Sequence, residues 1–200
     1  MVEKEQIIAR YSSSDELEKR NLALYRQLSG LNLAKEIANT KPELVVDLGC
    51  GGNVFKEHVP NLIGIDLVSH PNVDIVDDLH NAEFLLRRKA DWILNFGPLQ
   101  YTDPQPQVAM MSRMLNDHGT IVAHADPKKI SFDEVWTLGE RNGLRVSQVG
   151  DSYTDTSLMT PEDKAIQLKV CKKHNIPFDK FIQPRLTWRW QKKFIFELFC

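Results

Sequence analysis

The feature that most constrains the fold is the stretch from residue 44 to residue 53, LVVDLGCGGN, in which an apolar run ends in a carboxylate and then breaks into glycines. The run is short and rich in Leu and Val, which is typical of a buried parallel strand. The glycines predict a tight turn where a ligand can approach the backbone closely. We therefore expect a strand, a turn and a ligand site at the carboxyl end of the strand.

Two classes of ligand use such a turn, and the surrounding residues favour one of them. A pyrophosphate-binding turn has the pattern Gly-x-Gly-x-x-Gly, but Val54 stands where the third glycine would be. Asp47 lies two residues before Gly49, where its charge would repel a pyrophosphate and attract an ammonium group. S-adenosylmethionine carries an ammonium and a sulfonium and no phosphate, so the charges favour this ligand.

The same stretch resembles the first motif of the class I S-adenosylmethionine-dependent methyltransferases, which runs acid-x-Gly-x-Gly-x-Gly. Asp47, Gly49 and Gly51 match the motif, and Asn53 replaces its last glycine. Asn is tolerable there because it adopts left-handed backbone conformations more readily than most residues. The alternative is a glycine turn in an unrelated α/β protein.

Two further strands are predicted to end in acidic residues. Residues 61–67 form an apolar run that contains Asp66, and residues 73–79 form another that contains Asp77 and Asp78. The resemblance implies that Asp66 binds the ribose hydroxyls and that Asp78, with Asp77 as a rival, binds the adenine amino group. For each aspartate taken alone, the alternative is a helix N-cap or a turn former.

The rest of the chain continues as alternating strands and helices. Residues 90–101 predict a fourth strand that breaks into a loop, and further strands are predicted at residues 120–125 and 144–149. Residues 186–199 predict a final antiparallel strand. The resemblance implies an α/β fold, a doubly wound, mostly parallel seven-stranded sheet with helices on both faces and an antiparallel last strand. We expect one domain, with a helical cover (1–40), a cofactor-binding core (41–150), an insertion or substrate-side helix (151–185) and the final strand (186–200).

Helix boundaries and inward-facing residues are also predicted. Gly30 is expected to end a first helix, and Leu33 and Ile37 to face the sheet from a second. Later helices are expected at residues 132–141 and from residue 160 onward; their predicted apolar faces contain Val135, Trp136, Leu138, Ile166, Leu168 and Cys171. Only residues 54–60 remain between the first two strands, whereas such crossovers take about a dozen residues, so we expect an abbreviated helix there.

The predicted cofactor site gathers strand-end residues and the loop after the fourth strand, which lies where the strand order reverses. Its members are Asp47, Gly49, Cys50, Gly51, Asn53, Asp66, Leu67, Asp77, Asp78, Leu79, Asn95, Phe96 and Gly97. A general base is required only if the acceptor loses a proton. The candidates are His124 and Tyr101, followed by His80 and Asp126; for His124 the alternative is a packed or solvent-facing imidazole.

Positive charge is concentrated near the end of the chain. Residues 164–193 carry nine basic and one acidic side chain, although the whole chain has a net charge of −2. Aromatic residues are interleaved with these charges at Phe178, Phe181, Trp188 and Trp190. The segment predicts either a nucleic-acid surface that combines phosphate contact with base stacking or an ordinary solvated face.

The sequence therefore predicts an S-adenosylmethionine-dependent methyltransferase that acts on a small molecule. The alternatives are a nucleic-acid methyltransferase that uses the basic segment and a non-catalytic binding protein that keeps the fold. Three scattered cysteines form no disulfide framework, and Cys171 with His174 is too small a set for a metal site. With no signal peptide or membrane-spanning run in the sequence, we expect a cytoplasmic protein without a metal or a membrane partner.

Overall fold

The computed structural model describes residues 5–6, 8, 30–70, 72–101, 103–126, 128–152, 161–174 and 185–193. The described helices are α1 (Gly30–Asn39), α2 (Ala82–Leu86), α3 (Pro104–Met114), α4 (Phe132–Arg141) and α5 (Pro161–His174). The strands are β1 (Val45–Leu48), β2 (Leu62–Asp66), β3 (Ile75–Val76), β4 (Ala90–Phe96), β5 (Leu115–Ala125), β6 (Leu144–Ser152) and β7 (Arg185–Lys192). Single 3-10 turns occur at Val54–Glu57, Leu79–Asn81 and Pro98–Gln100.

The strands form one sheet in the order β3-β2-β1-β4-β5-β7-β6. The pairs among β1 to β5 are parallel, and β7 is antiparallel to both β5 and β6. The predicted doubly wound sheet with an antiparallel last strand is confirmed. The chain order reverses between β1 and β4, so the carboxyl ends of these strands open the crevice in which ligands bind in such sheets.

Each face of the sheet has its own hydrophobic core, because side chains alternate between faces along a strand. Val46 and Leu48 belong to the core under α2, α3 and α4, together with Met111 of α3. Val45 belongs to the other core, which contains Ile37 of α1. Asp47 therefore projects to the α1 face, and this places the first motif carboxylate on that side of the crevice.

The crossover from β1 to β2 is as short as the sequence predicts. It contains one 3-10 turn, Val54–Glu57, and no α-helix. Phe55 and Val59 of this segment are 3% and 2% exposed and join the α1-face core. The turn thus fills the place of a longer helix with two apolar side chains.

Some predicted boundaries and faces are wrong. β3 covers only Ile75–Val76 rather than 73–79, since it is an edge strand that pairs with β2 alone. Trp136 and Leu168 were expected to point inward, but they are 48% and 47% exposed. Cys171 is buried as predicted, while the side chain of Ile166 lies outside the described residues.

Only part of the prediction for the N-terminal helices falls on residues that the structure describes. Leu33, Ala34 and Ile37 face the sheet, which confirms the apolar face of the second segment. Gly30 is the first residue of α1, and the helix that it was expected to end lies outside the described residues. Among the described residues, no helix is long and apolar enough to cross a membrane.

Candidate functional site

Asp47 is the central charged group of the site. It lies at the carboxyl end of β1, between Gly64 of β2 and Leu94 of β4, and is 2% exposed. No hydrogen bond or ion pair to its carboxyl group occurs in the described part of the chain. Burial, and after it the nearby Asp66 carboxylate, raise its pKa to about 8. A buried carboxyl group without a partner is suited to a cation that arrives from outside.

The glycine turn follows directly and has left-handed backbone at every second residue. Gly49, Gly51 and Asn53 have φ values of +73°, +52° and +49°. A Cβ at Gly49 would lie 2.4 Å from Cγ of Pro98, so the turn packs directly against the loop after β4. A Cβ at Gly51 would meet no atom within 4 Å, so this backbone borders open space. A ligand can approach the chain there.

Asn53 connects the turn to the loop that precedes β3 through a side-chain hydrogen bond. It is fully buried, and its Nδ2 donates to the carbonyl oxygen of Asn72 at 2.7 Å. A Cβ at Gly64 would lie 2.4 Å from this Nδ2 and 2.7 Å from Sγ of Cys50, so only glycine fits at that position of β2. Asn53 thus combines the left-handed backbone expected of a motif glycine with a side-chain tie that glycine lacks.

Asp66 lies at the carboxyl end of β2 and contacts the same turn. Its Oδ2 accepts a hydrogen bond from the amide of Gly51 at 2.8 Å, and its Oδ1 accepts one from the amide of Val68 at 2.9 Å. These two bonds fix the carboxylate beside the open part of the turn. Each oxygen keeps a second lone pair with which to accept from a hydroxyl group.

Asp77 and Asp78 follow β3 but are engaged in local structure. Asp77 Oδ1 accepts from the amide of Asp78 at 2.6 Å and from Nδ2 of Asn81 at 2.8 Å. Asp78 caps the 3-10 turn by accepting from the amide of His80, and its Oδ1 also lies 2.8 Å from Nδ1 of His80. Asp78 therefore acts as a helix cap, which is the alternative stated for it above. Neither the Asp77 nor the Asp78 side chain is buried.

Three rings form a stack at the carboxyl ends of β4 and β5. Phe96, at the end of β4, stacks on Phe55 with ring centroids 5.5 Å apart and on His124 of β5 with centroids 4.9 Å apart. Phe96 and His124 are register partners on adjacent strands. His124 is 6% exposed, so its imidazole is largely covered. The stack gives this end of the crevice an aromatic wall beside one titratable ring.

Asn95 lies on the opposite face of the sheet from Phe96. It is fully buried, and its Nδ2 donates to Oε1 of Gln107 at 3.0 Å and contacts Sδ of Met111 at 3.8 Å. Its side chain therefore packs under α3 rather than beside Asp47. Gly97, at φ +110°, then turns the chain back by donating its amide to the carbonyl oxygen of His124 at 3.1 Å.

Comparison with solved structures identifies the fold. Magnesium protoporphyrin IX methyltransferase from Synechocystis PCC 6803 superposes with a TM-score of 0.64 at 11% identity, covering 96% of this chain and 99% of that one. The Burkholderia thailandensis 1,6-didemethyltoxoflavin-N1-methyltransferase gives 0.63 at 12% identity, covering 96% and 87%. The chain has the class I methyltransferase fold. No protein-family model matches the sequence, and no curated protein is significantly similar to it.

The class I methyltransferase fold does not by itself specify methyl transfer. The [4+2]-cyclase SpnF matches the chain with a TM-score of 0.53 at 13% identity, covering 82% of this chain and 80% of that one. Fold and chemistry are separable in this way because function depends on the residues of the site. The activity of this protein therefore depends on the residues of its own crevice.

The remaining predicted site residues lie on different elements of the fold. Leu67 follows Asp66 and is half-buried, Leu79 is buried in the α2-side core, and Tyr101 follows the 3-10 turn after β4. Cys50 is 1% exposed, and burial raises the pKa of its thiol far above the ordinary value, so it packs the turn without being reactive. No cluster of metal-binding side chains occurs among the described residues.

In β7 the basic segment does not offer the stacking aromatic residues of the nucleic-acid alternative, whereas Lys164, Lys169 and Lys172 of α5 are exposed. Trp188 and Trp190 are 1% and 0% exposed, so neither can stack on a base. The three basic residues with described side chains in and just after β7 are paired: Arg189 with Glu36, Lys192 with Asp117 and Lys193 with Glu140. Phe178 and Phe181 lie outside the described residues.

Sequence reasoning missed three contributors to the site. Phe55 extends the ring stack, Pro98 contacts the glycine turn, and Asp74 accepts from the amide of Gly64 at 2.9 Å while pairing with Lys56. Pro98 directly follows the predicted loop glycine, and Phe55 lies two residues after Asn53. Their closeness in sequence to predicted residues is the signal that could have suggested them.

Proposed function

We propose that this protein is an S-adenosylmethionine-dependent methyltransferase that acts on a small-molecule acceptor. The observation that carries the proposal is the meeting of Asp47, Asp66 and the open backbone at Gly51 on one face of the carboxyl edge. Two carboxylates at this place disfavour a pyrophosphate and favour a cationic nucleoside. The two methyltransferases compared above were solved with S-adenosylmethionine and with S-adenosylhomocysteine, respectively, and the second also with its small acceptor bound.

The residues present fit this cofactor. Asp47 offers a buried carboxyl group for the ammonium, and Asp66 offers carboxylate lone pairs for ribose hydroxyls. The turn at Gly51 leaves room for the ligand against the backbone. Asp77 and Asp78 stand at the next strand end, where an adenine amino group would lie. The backbone of Phe96 and Gly97 completes the site on the β4 side, with Asn95 supporting it from the opposite face.

The protein's own part in the chemistry is to align the acceptor and exclude water. S-adenosylmethionine, when bound, supplies an electrophilic methyl group on a sulfonium. Phe55, Phe96 and His124 give the acceptor end an apolar wall that favours a flat or apolar molecule over a highly charged one. If the acceptor atom carries a proton, we propose that His124 accepts it, with Tyr101 as the second candidate.

Isothermal titration calorimetry with S-adenosylhomocysteine tests the proposal. We expect micromolar-range binding to the intact protein, and a loss of roughly tenfold to a hundredfold in Asp66→Asn, because a charged hydrogen-bond acceptor becomes neutral. Asp117→Asn is the matched control, since it removes a carboxylate that is 85% exposed and paired with Lys192. The control should bind as the wild type does.

Two results would contradict the proposal. One is the absence of S-adenosylhomocysteine binding to folded wild-type protein. The other is binding without any methyl transfer from labelled S-adenosylmethionine to small molecules of a cell extract. The second result would favour a non-catalytic binding protein with this fold.

A further inference from the structure

Asp47 is a buried acid with unusual surroundings. Its neighbours in the sheet, Gly64 and Leu94, bring no cation and no side-chain donor. The α1 residues that pack on this face, Ala34 and Ile37, are apolar. An ionised carboxylate in such a place is strongly disfavoured by the loss of hydration.

The charged and titratable groups around Asp47 further disfavour its ionised form. β2 brings Asp66, a second carboxylate, and the glycine turn brings the Cys50 thiol, which is buried. Lys56, which follows the turn, is paired with Asp74. His124 of β5 stacks on Phe96, further toward the carboxyl edge than the position of Asp47. No cation among the described residues therefore offsets a negative charge on Asp47.

We propose that Asp47 is uncharged in the ligand-free crevice and releases its proton when the ammonium group of the cofactor binds, so that the ligand is taken up with the loss of one proton. This inference rests on the proposed function and extends it to a proton-linked selection of ligands that carry an ammonium. The raised pKa of Asp47, which follows from burial and from Asp66, agrees with the geometry. The released proton passes from the carboxyl group to solvent.

The test is calorimetric titration with S-adenosylhomocysteine in two buffers of different ionisation enthalpy, from pH 6 to pH 9. Below pH 8, we expect nearly one proton released per ligand bound and an affinity that rises about tenfold per pH unit. Above pH 8 both effects should fade, because Asp47 is then already ionised. Asp47→Asn should bind more weakly and show neither effect.

A ligand control makes the test independent of how the variant folds. 5′-Deoxy-5′-methylthioadenosine has the nucleoside and the sulfur but no ammonium group, so wild-type protein should bind it without releasing a proton. The amine of S-adenosylhomocysteine titrates equally in the wild type and in Asp47→Asn, so the difference between the two proteins reports on Asp47.

The outcomes separate this proposal from the one on which it rests. Binding of S-adenosylhomocysteine without proton release, or with equal release in Asp47→Asn and the wild type, would overturn the proton linkage alone. Equal release with methylthioadenosine would also overturn it. Absence of any binding would overturn both the linkage and the proposed function.

Discussion

At the scale of the residue, the site retains groups that do not favour the folded state. Asp47 is buried without a partner in the described structure, and the nearby charge that raises its pKa further is the Asp66 carboxylate. Strain and unpaired polar groups of this kind persist at functional sites because the ligand, rather than the fold, compensates them. The same residue should therefore influence stability and binding in opposite directions.

Asp47→Asn should stabilise the ligand-free protein. The pKa of Asp47 is 3.8 for the ordinary group and about 8 in the fold, so between these values the unfolded chain has lost a proton that the native protein retains. Folding is then increasingly disfavoured as the pH rises, and the disadvantage levels off above pH 8. The free energy of unfolding of the variant should therefore exceed that of the wild type by an amount that grows between pH 4 and pH 8 and reaches on the order of a few kcal/mol. Urea denaturation measures this difference. Equal stability of the two proteins at pH 8 would contradict this.

Gly51→Ala and Gly143→Ala form a matched pair for testing the glycine turn. Both positions have positive φ, +52° and +68°, and at both a Cβ would meet no atom within 4 Å. Each substitution should therefore destabilise the protein by about 1 kcal/mol. Only Gly51 borders the crevice, so only Gly51→Ala should also weaken S-adenosylhomocysteine binding, by roughly tenfold. Calorimetry and urea denaturation measure the two effects, and equal affinities would argue against a ligand at this turn.

At the scale of the element, the connection from β1 to β2 contains no α-helix, and side-chain contacts hold it in place instead. Asn53 bonds to the carbonyl of Asn72, and Lys56 pairs with Asp74, so the turn and the 3-10 segment are both tied to the loop before β3. Asp74 in turn accepts from the amide of Gly64 in β2. The short connection is thereby held against its neighbours at two points.

Helix α1 is similarly fixed to the sheet. Arg189 of β7 donates two hydrogen bonds to the Glu36 carboxylate, at 2.5 and 2.7 Å, and Nε1 of Trp92 donates to Oγ1 of Thr40 at 3.1 Å. These contacts join the two ends of the described chain across the α1 face. Helix α1 is therefore held on this face of the sheet by contacts with both β4 and β7.

Glu36→Gln should lower the free energy of unfolding modestly at neutral pH, and the difference from the wild type should disappear at acidic pH. The bond from Arg189 lowers the pKa of Glu36 below its ordinary value of 4.5, so the stabilisation is present above that pH and is lost as the pH falls through the lower folded value. Because Glu36 is 44% exposed, solvent screening limits the effect to about 0.5–1 kcal/mol at pH 7. Urea denaturation at pH 7 and pH 3 measures it; a difference that persists unchanged at pH 3 would contradict the role of the charge.

At the scale of the whole molecule, the crevice is built from elements far apart in the chain, so it exists only in the folded protein. A ligand that binds there should therefore stabilise the folded state. At a ligand concentration of about 100 times Kd, S-adenosylhomocysteine should add about 2.7 kcal/mol. For a domain of this size, the midpoint of thermal unfolding should rise by roughly 5–10 °C. Differential scanning calorimetry measures the shift.

NAD is the control ligand for that experiment. It shares the adenosine portion but carries a pyrophosphate, which the Asp66 carboxylate would repel. We expect no shift with NAD at the same concentration. A larger shift with NAD than with S-adenosylhomocysteine would point to a dinucleotide site and contradict the proposed function.

Much of the fold was predictable because its signals are local. Both boundaries of α4 and the first residue of β4 are those predicted, and the abbreviated crossover was expected from its length alone. The length of β3 was not predictable, since an apolar run does not show that a strand has a neighbour on one side only. Trp136 was placed on the wrong face of α4 because a partly apolar helix has no sharp boundary between its faces.

The sequence by itself determined that β1 ends in a buried acid and a turn with left-handed backbone, because both follow from residue types within ten positions. The sequence-based prediction placed Asn95 and Phe96 in one site, whereas the structure points them to opposite faces because side chains alternate along a strand. Only the tertiary structure decided that Phe96 shares its face with Asp47 and His124, and that Glu36 meets Arg189 153 residues away. Such pairings depend on which strands become neighbours, and that is settled by the packing of the whole chain.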